Sequence, residues 1–402
     1  MSSGFGWIDF SNEQRDRVFS VIDLLSTGGT VDELGIGSVR DAIADWLFPG
    51  VSTIQTRPKY FIILTDIFLT YQKQFHSGEK VANLSTYLKA EEHQIMHLLA
   101  RNHEYKDGDG VIGVAVAQNK GELARKASSV YWNGLRVHKF IDTDFSSSEY
   151  LLRNNLSELK KSTNEEGDDD YTSLEDSFGI KTPFFSTKSE TMKLDLTKEE
   201  ATFIRDQLMD STSELKQKNN LLSQLFTTER TKIIVDSNNF KEMALDLIND
   251  LSLHEETRKI LTIAILFDFL IHGAHIRYNI QLHKKSSNLN FDSNWENWKD
   301  ELKDKKEELT HFDFDYLFNQ IAPRTVLETQ LFMKKWRDEI IKETINVEFV
   351  DQLVYNQEIK KKGAKAKLAS VSGEFNSWVG IQSLQYRFNV VRNFVKDIQQ
   401  HV

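Results

Sequence analysis

Proline interrupts this chain only four times in 402 residues, so little in the sequence stops long helices from forming. Apolar residues recur every three or four positions over most of its length, which is the spacing of one face of an α-helix. No repeat with a period of roughly 20 to 50 residues is present, which argues against a solenoid. These patterns predict a mainly α, multi-helical protein of two or three domains.

The helical pattern divides the chain into segments with recognisable ends. One helix follows Ser11, a good N-cap residue, and another starts near Leu196, where Thr197 and Glu200 have the spacing of a capping box. Residues 58–75 are apolar nearly all round, which predicts a buried helix, with a core strand as the alternative. The other predicted helices cover residues 37–48, 81–102, 121–140, 239–251, 255–284, 295–309, 325–346 and 373–401.

Acidic residues dominate the middle of the chain. Between positions 165 and 176 seven residues are Asp or Glu and aliphatic residues are almost absent, as expected for a solvated linker. We therefore predict an N-terminal helical domain over residues 1–155, an acidic linker or long loop over 156–190, and a C-terminal helical domain over 191–402.

The composition limits the classes of function that are open to the chain. It has no cysteine, which excludes disulfides, thiolate metal ligands and thiol nucleophiles, and its net charge of -10 disfavours indiscriminate binding to nucleic acid. No signal peptide is visible, and the longest apolar stretch, residues 260–271, is too short to cross a bilayer. The glycine motifs of nucleotide-binding proteins are absent. We expect a cytoplasmic protein without a membrane span or a cofactor.

Residues 31–61 are too rich in glycine, charge and turn signals to be plain amphipathic scaffolding. The polar residues around the bends are the candidates for a functional loop: Glu33, Arg40, Asp41, Asp45, Ser52, Thr56 and Arg57. Two interpretations are open. The acidic members, with Asp32, could bind a divalent metal in a divergent nuclease, or they could form ion pairs that stabilise the loop.

Residues 121–140, which are predicted above as one helical segment, can also be interpreted as two short helices. These would join near Ala127 to make a helix-turn-helix or winged-helix-like element. A small helical hairpin is the alternative. In the DNA-binding interpretation Arg125 and Lys126 meet phosphates, while the exposed set that faces the DNA is Ser128, Ser129, Asn133 and Arg136. A basic stretch between two predicted helices, which includes Lys361, Lys362 and Lys365, is either a solvated loop or a contact site for a nucleic-acid backbone or an acidic partner.

Polar residues end the apolar pattern of residues 255–284. His272, His275, Arg277 and Tyr278 are candidates for a polar cluster or a partner contact, and we expect no metal there because two histidines three positions apart are more often hydrogen-bonded than metal-bound. A nuclease pattern of Asp351 with Glu358 and Lys360 is loose enough to arise by chance.

Six segments carry a resemblance to a known family. They are GWIDF at 6–10, DELGIGSVRDAIADWLFPGVSTIQTRPKYF at 32–61, GVIG at 110–113, SSVYW at 128–132, HGAHIRYN at 272–279 and LQYRF at 384–388. Together they resemble an uncharacterised bacterial family of about this length, a domain of unknown function. Members occur in genomic islands beside helicases, methyltransferases and phospholipase D-like nucleases, so the resemblance implies a role in anti-phage defence.

The residues and the resemblance agree on a working hypothesis. The chain is expected to be a non-enzymatic defence component, an adaptor that binds a helicase, a phospholipase D-like nuclease, DNA or more than one of these. The alternative is a divergent metal-dependent nuclease. The sequence leaves the oligomeric state open.

Overall fold

The structure is a computed structural model that describes residues 32–119, 125–157, 178–185, 188–213, 218–286, 289–369 and 375–401. Within these ranges no residue lies in a β-strand, and the β-type pairing is a single bridge between Ile141 and Ile180. The prediction of a mainly α, multi-helical protein is confirmed. A β-wing is absent from these ranges, and the predicted helix after Ser11 lies outside them.

The helices in chain order are α1 (Gly37–Leu47), α2 (Lys59–His76), α3 (Leu84–Asn102), α4 (Val114–Asn119), α5 (Ala127–Val137), α6 (Ser147–Arg153), α7 (Lys198–Ser213), α8 (Thr228–Asp236), α9 (Phe240–Ile248), α10 (Glu255–Ser286), α11 (Asp292–Thr310), α12 (Leu327–Ile340), α13 (Val347–Lys362) and α14 (Phe388–Gln399). Short helical turns lie at Leu222–Gln224, Phe314–Tyr316, Leu317–Ile321 and Gly363–Lys365.

The described residues form two compact units. The first unit contains those within Phe48–Asp236 and Arg387–Val402, and the second contains those within Arg15–Leu47 and Ser237–Tyr386. The segment 32–61 therefore divides between the two units at Leu47. Much of the predicted linker, residues 158–177 and 186–187, lies outside the described residues, so the linker and the domain boundaries drawn from it stay a prediction.

Helix α2 is the centre of the first unit, where it packs against α3, α5 and α7. Every residue from Lys59 to Phe68 is buried, which confirms the buried helix predicted from the all-round apolar pattern. At its start the Lys59 ammonium lies 2.5 Å from the Glu200 carboxylate, and Glu200 also accepts the Thr197 amide at 2.8 Å in the predicted capping box. One carboxylate thus caps α7 and pairs with the buried lysine of α2.

Helix α10 is the centre of the second unit and packs against α1, α9, α11 and α13. Its 32 residues rise about 48 Å at 1.5 Å per residue. The stretch Glu255–Lys284 is long and apolar enough to cross a membrane. Its most apolar 18-residue window has a mean hydropathy of 1.6, and 78% of that window is buried inside the protein. Burial of this extent is typical of a core helix.

A glycine in the middle of α10 makes room for a stack of aromatic rings. Trp298 of α11 lies against Gly273, and its Nε1 donates to the Phe269 carbonyl at 3.0 Å. Its ring stacks on Phe269, with centroids 5.1 Å apart, and on Trp295, with centroids 4.9 Å apart. A Cβ atom at position 273 would overlap the Trp298 ring.

Two predictions for the C-terminal third of the chain were wrong. Helix α13 had not been predicted, and the helix expected over 373–401 begins only at Phe388. Helix α13 buries Gln357 and Glu358 as well as Val350 and Val354, so its buried face lacks a clear apolar period. Residues 375–387 are not helical, because their polar backbone groups bind side chains of α10, as described below.

We predict that Gly273→Ala destabilises the protein by about 1–3 kcal/mol, although alanine normally stabilises a helix interior relative to glycine. The added methyl group has to displace Trp298. Urea unfolding of Gly273→Ala, Trp298→Phe and the double variant measures the coupling between the two positions. Additive effects would contradict this account.

Candidate functional site

Two of the polar residues predicted at 272–279, Arg277 and Tyr278, bind carboxylates of α13. Arg277 donates to both oxygens of Asp351, at 2.8 and 2.7 Å, and the Tyr278 hydroxyl donates to Glu358 at 2.8 Å. Glu358 also accepts the backbone amides of Lys367 and Leu368, both at 2.9 Å. The carboxylates of the loose nuclease pattern are therefore bound to the protein's own side chains and backbone.

Residues 379–386, which we call the strap, run antiparallel along α10. Asn279 bonds reciprocally to Val379, donating to its carbonyl at 2.9 Å and accepting its amide at 2.8 Å. Further along, the Leu384 amide donates to Asp268 at 2.7 Å and the Tyr386 hydroxyl donates to the Ala264 carbonyl at 2.9 Å. The antiparallel direction follows from the order of these contacts, with Val379 at Asn279 and Tyr386 at Ala264.

His275 lies under the closest approach of the strap. It is fully buried, and its ring lies 3.1 Å from where a Cβ at Gly380 would be, a position with a φ of +88° that favours glycine. Burial lowers the pKa of His275 to about 4, so the ring is neutral at pH 7. Its Nδ1 lies 3.0 Å from the Ile271 carbonyl, while Nε2 has no hydrogen-bond partner in the part of the chain that the structure describes.

Two of the three basic candidates near residue 361 contact the segment at the start of α1. Glu33 is 1% exposed, and the ammonium groups of Lys367 and Lys362 lie 2.5 and 3.9 Å from its carboxylate. The aliphatic stem of Lys361 packs over Gly35. Of the predicted trio, Lys365 is exposed, whereas Lys361 and Lys362 are half-buried. Part of this basic charge therefore neutralises a buried acid, and DNA contact here stays a prediction.

The acidic candidates around α1 serve local structure. The Asp32 carboxylate accepts the amides of Ile36 and Gly37 at 2.8 and 2.7 Å, which satisfies the free N–H groups of the helix start. Arg40 pairs with its neighbour Asp41 at 2.8 Å, and Asp45 is exposed. Among the described residues no group of three or more His, Cys, Asp or Glu side chains is placed to bind a metal ion.

The remaining loop candidates, Ser52, Thr56 and Arg57, lie in the first unit. The Tyr131 hydroxyl accepts the amides of Thr56 and Arg57, at 2.8 and 3.0 Å, and donates to the Arg57 carbonyl at 2.8 Å. Thr56 Oγ1 donates to the Gly110 carbonyl at 2.7 Å. The segments 48–61, 110–113 and 128–132, which are far apart in sequence, therefore meet around one phenol.

Arg57 is held by charge as well as by its backbone. Its guanidinium pairs with the Asp397 carboxylate of α14 and donates to the Asp109 carbonyl at 3.1 Å. Burial raises the pKa of Asp397, and the Arg57 charge opposes that rise. Ser52 is half-buried, and its amide donates to the Gln55 side chain at 3.1 Å. These contacts assign the three candidates to the packing of the first unit.

The predicted helix-turn-helix is described only in its second half, because residues 120–124 lie outside the described ranges. Ala127–Val137 forms one helix, α5, and the prediction that Ser128 is exposed is wrong. Its amide and hydroxyl donate to Glu92 of α3, at 2.7 and 3.1 Å. The side chain of Lys126, the N-cap residue of α5, makes no capping hydrogen bond. Glu92, which is distant in sequence, caps the helix instead.

The other nucleic-acid candidates of this region differ in exposure. Asn133 is exposed, whereas Arg125 and Lys126 are half-buried. Arg136 is also half-buried, and its Nε lies 3.3 Å from the Thr143 carbonyl. DNA contact by α5 stays a prediction.

His138, directly after α5, is a buried histidine that the sequence did not single out. It is fully buried, its ring meets Phe61 edge to face at 5.8 Å, and neither ring nitrogen has a hydrogen-bond partner among the described residues. Burial lowers the pKa of His138 from 6.5 to about 3. The folded state therefore requires the neutral ring.

We predict that His138→Leu reduces the acid sensitivity of the protein. The folded pKa lies below the unfolded value of 6.5, so the stabilisation from a neutral His138 is present above pH 6.5 and lost as the pH falls toward 3. Between about pH 7.5 and 5 the wild type should lose about 2 kcal/mol more unfolding free energy than the variant. Equal losses in urea titrations would contradict the assignment.

An exposed apolar patch lies at the start of α12. Val326, Leu327 and Leu331 are 50%, 63% and 46% exposed, although Phe332, Met333 and Trp336 of the same helix are buried. We call these three exposed residues the α12 patch. The sequence feature that could have predicted this patch is a helix with apolar residues on two faces. A single core can cover only one of those faces.

Comparisons with curated proteins and with solved structures found no match. A family model described as a family of unknown function, DUF6361, matches residues 1–395. The predicted membership of an uncharacterised family is confirmed. Because the match covers nearly the whole sequence, the chain belongs to the DUF6361 family.

Proposed function

We propose that this protein is a non-enzymatic component of a bacterial anti-phage defence system, an adaptor that binds a helicase or a phospholipase D-like nuclease of the same locus. The defence role rests on the resemblance set out above. The binding role rests on one observation, the α12 patch, in which three aliphatic side chains are exposed side by side.

The α12 patch has the properties of a contact surface for a protein. Leu327 and Leu331 are four positions apart on one helix, so they lie on the same face, with Val326 beside them. Single exposed apolar residues are common on protein surfaces, whereas adjacent ones that are rimmed by charge are typical of interaction sites. Exposed Arg324, Glu328 and Lys335 supply such a rim.

The DNA-binding form of the adaptor draws on the basic residues at the end of α13. Lys360 and Lys365 are exposed and can reach a phosphate backbone, whereas Lys362 lies near Glu33. A second location is the exposed side of α5, with Asn133. Binding by such residues falls steeply as salt rises.

We predict that Leu327→Asp together with Leu331→Asp weakens binding to the partner at least about tenfold, because a charge in an apolar contact must be desolvated without compensation. Purified helicase and nuclease from the same locus are each titrated against the full chain by calorimetry. Leu251→Asp is the matched control, since Leu251 is 81% exposed in the same unit but lies outside the patch.

Equal affinity of the double variant and the control would contradict the assignment of the patch. Duplex DNA, titrated in the same way over a range of salt concentrations, separates the two forms of the adaptor. If DNA binds and a Lys360→Ala, Lys365→Ala variant loses both affinity and salt dependence, the DNA-binding form is supported. If no partner of the locus and no DNA binds, the adaptor proposal is wrong.

A further inference from the structure

A polar cleft opens beside the middle of α10, within the second unit. It has a volume of about 360 Å³, within the range of sites that bind small molecules. Helix α10 contributes Asp268 and His272, α9 contributes Lys241, and α11 contributes Glu301 and Lys305. No residue proposed above for partner or DNA binding lines it, apart from the sequence candidate His272.

Asp268 is the most constrained group of the cleft. The Leu384 amide of the strap and the Ser383 hydroxyl donate to its carboxylate, and Lys241 lies close enough to stabilise its charge. Burial outweighs these contacts and raises the pKa of Asp268 to about 6, so the carboxylate is largely ionised at neutral pH. A fixed carboxylate in a solvent-filled cleft is suited to bind a cationic group.

His272 lies one helical turn from Asp268 on the same side of α10. Its ring bonds to the backbone of Gln382 in the strap and stacks on Trp378 with centroids 5.6 Å apart. Burial lowers the pKa of His272, so it is neutral and adds no charge to the cleft at pH 7. Glu301 and Lys241 both lie near enough to affect its charge.

The charges of the cleft restrict the ligands that it can bind. Two amines, Lys241 and Lys305, face two carboxylates, Asp268 and Glu301, so the lining has no net charge to attract a polyanion such as DNA. A ligand must therefore satisfy charges of both signs through polar contacts.

We propose that this cleft binds a small zwitterion of the amino-acid type, with its ammonium group on Asp268 and Glu301 and its carboxylate on Lys241 and Lys305. An amino acid carries both charges on a molecule small enough for the cleft, and it leaves none of the four side chains without a counter-ion. This site is independent of the α12 patch, so the protein is an adaptor that also binds a metabolite-sized ligand.

The test uses the full chain and matched probes. Free amino acids are titrated singly by calorimetry, and for leucine the same is done with 3-methylbutylamine and 4-methylpentanoate, which lack one charged group each. We expect saturable binding of at least one amino acid. Each probe that lacks one charged group is compared with leucine, or with the amino acid that binds best. We expect it to bind at least about tenfold more weakly.

Two variants and a control locate the site. Asp268→Asn keeps an oxygen that can accept the Leu384 amide but loses the charge, and Lys241→Met loses the opposite charge. Each should weaken amino-acid binding about tenfold. Lys299→Met is the control, because Lys299 lies on α11 but pairs with Glu296 and does not line the cleft.

Several results would overturn the proposal. The first is that no amino acid shows saturable binding at concentrations up to about 10 mM. The second is that the amine alone binds as tightly as the amino acid, which would indicate a simple cation site. The third is that amino-acid binding is unchanged in both cleft variants. None of these outcomes depends on partner binding at the α12 patch, so this proposal and the adaptor proposal fail separately.

Discussion

The second unit depends on the burial of α10, because most polar side chains of a helix that is buried over most of its length need partners inside the protein. Arg277 pairs with Asp351 and Tyr278 with Glu358, both on α13, while Asn279 and Asp268 bind backbone groups of the strap. These bonds determine which segments can lie against α10.

In the first unit, the polar groups that need partners belong to the backbone of a loop. The segment that enters α2 is irregular, so its amides cannot bond within a helix, and the Tyr131 hydroxyl binds two of them together with one carbonyl. Arg57 then pairs with Asp397 of α14, which joins two distant parts of the sequence within the same unit. Most of the polar residues that looked functional in residues 31–61 therefore stabilise the two units separately.

The sequence predicted the parts of the fold that depend on local pattern. Helix α2 and the capping box of Thr197 and Glu200 follow from spacing alone. The strap does not, because its bonds join residues about a hundred positions apart, as between Asn279 and Val379. For the same reason the sequence singled out His272 but not Lys241 of α9 or Glu301 and Lys305 of α11, which the fold brings to the same cleft beside α10.

The central claim is that side chains of α10 position the strap, and hydrogen exchange tests it most directly. Asn279→Ala removes the acceptor of the Val379 amide, whereas Gln281→Ala, on the same helix, removes only contacts with Asp351. We predict that exchange at Val379 and along the strap to Leu384 becomes at least about tenfold faster in Asn279→Ala and is unchanged in Gln281→Ala. Unchanged exchange in Asn279→Ala, or equal acceleration in both variants, would contradict the account.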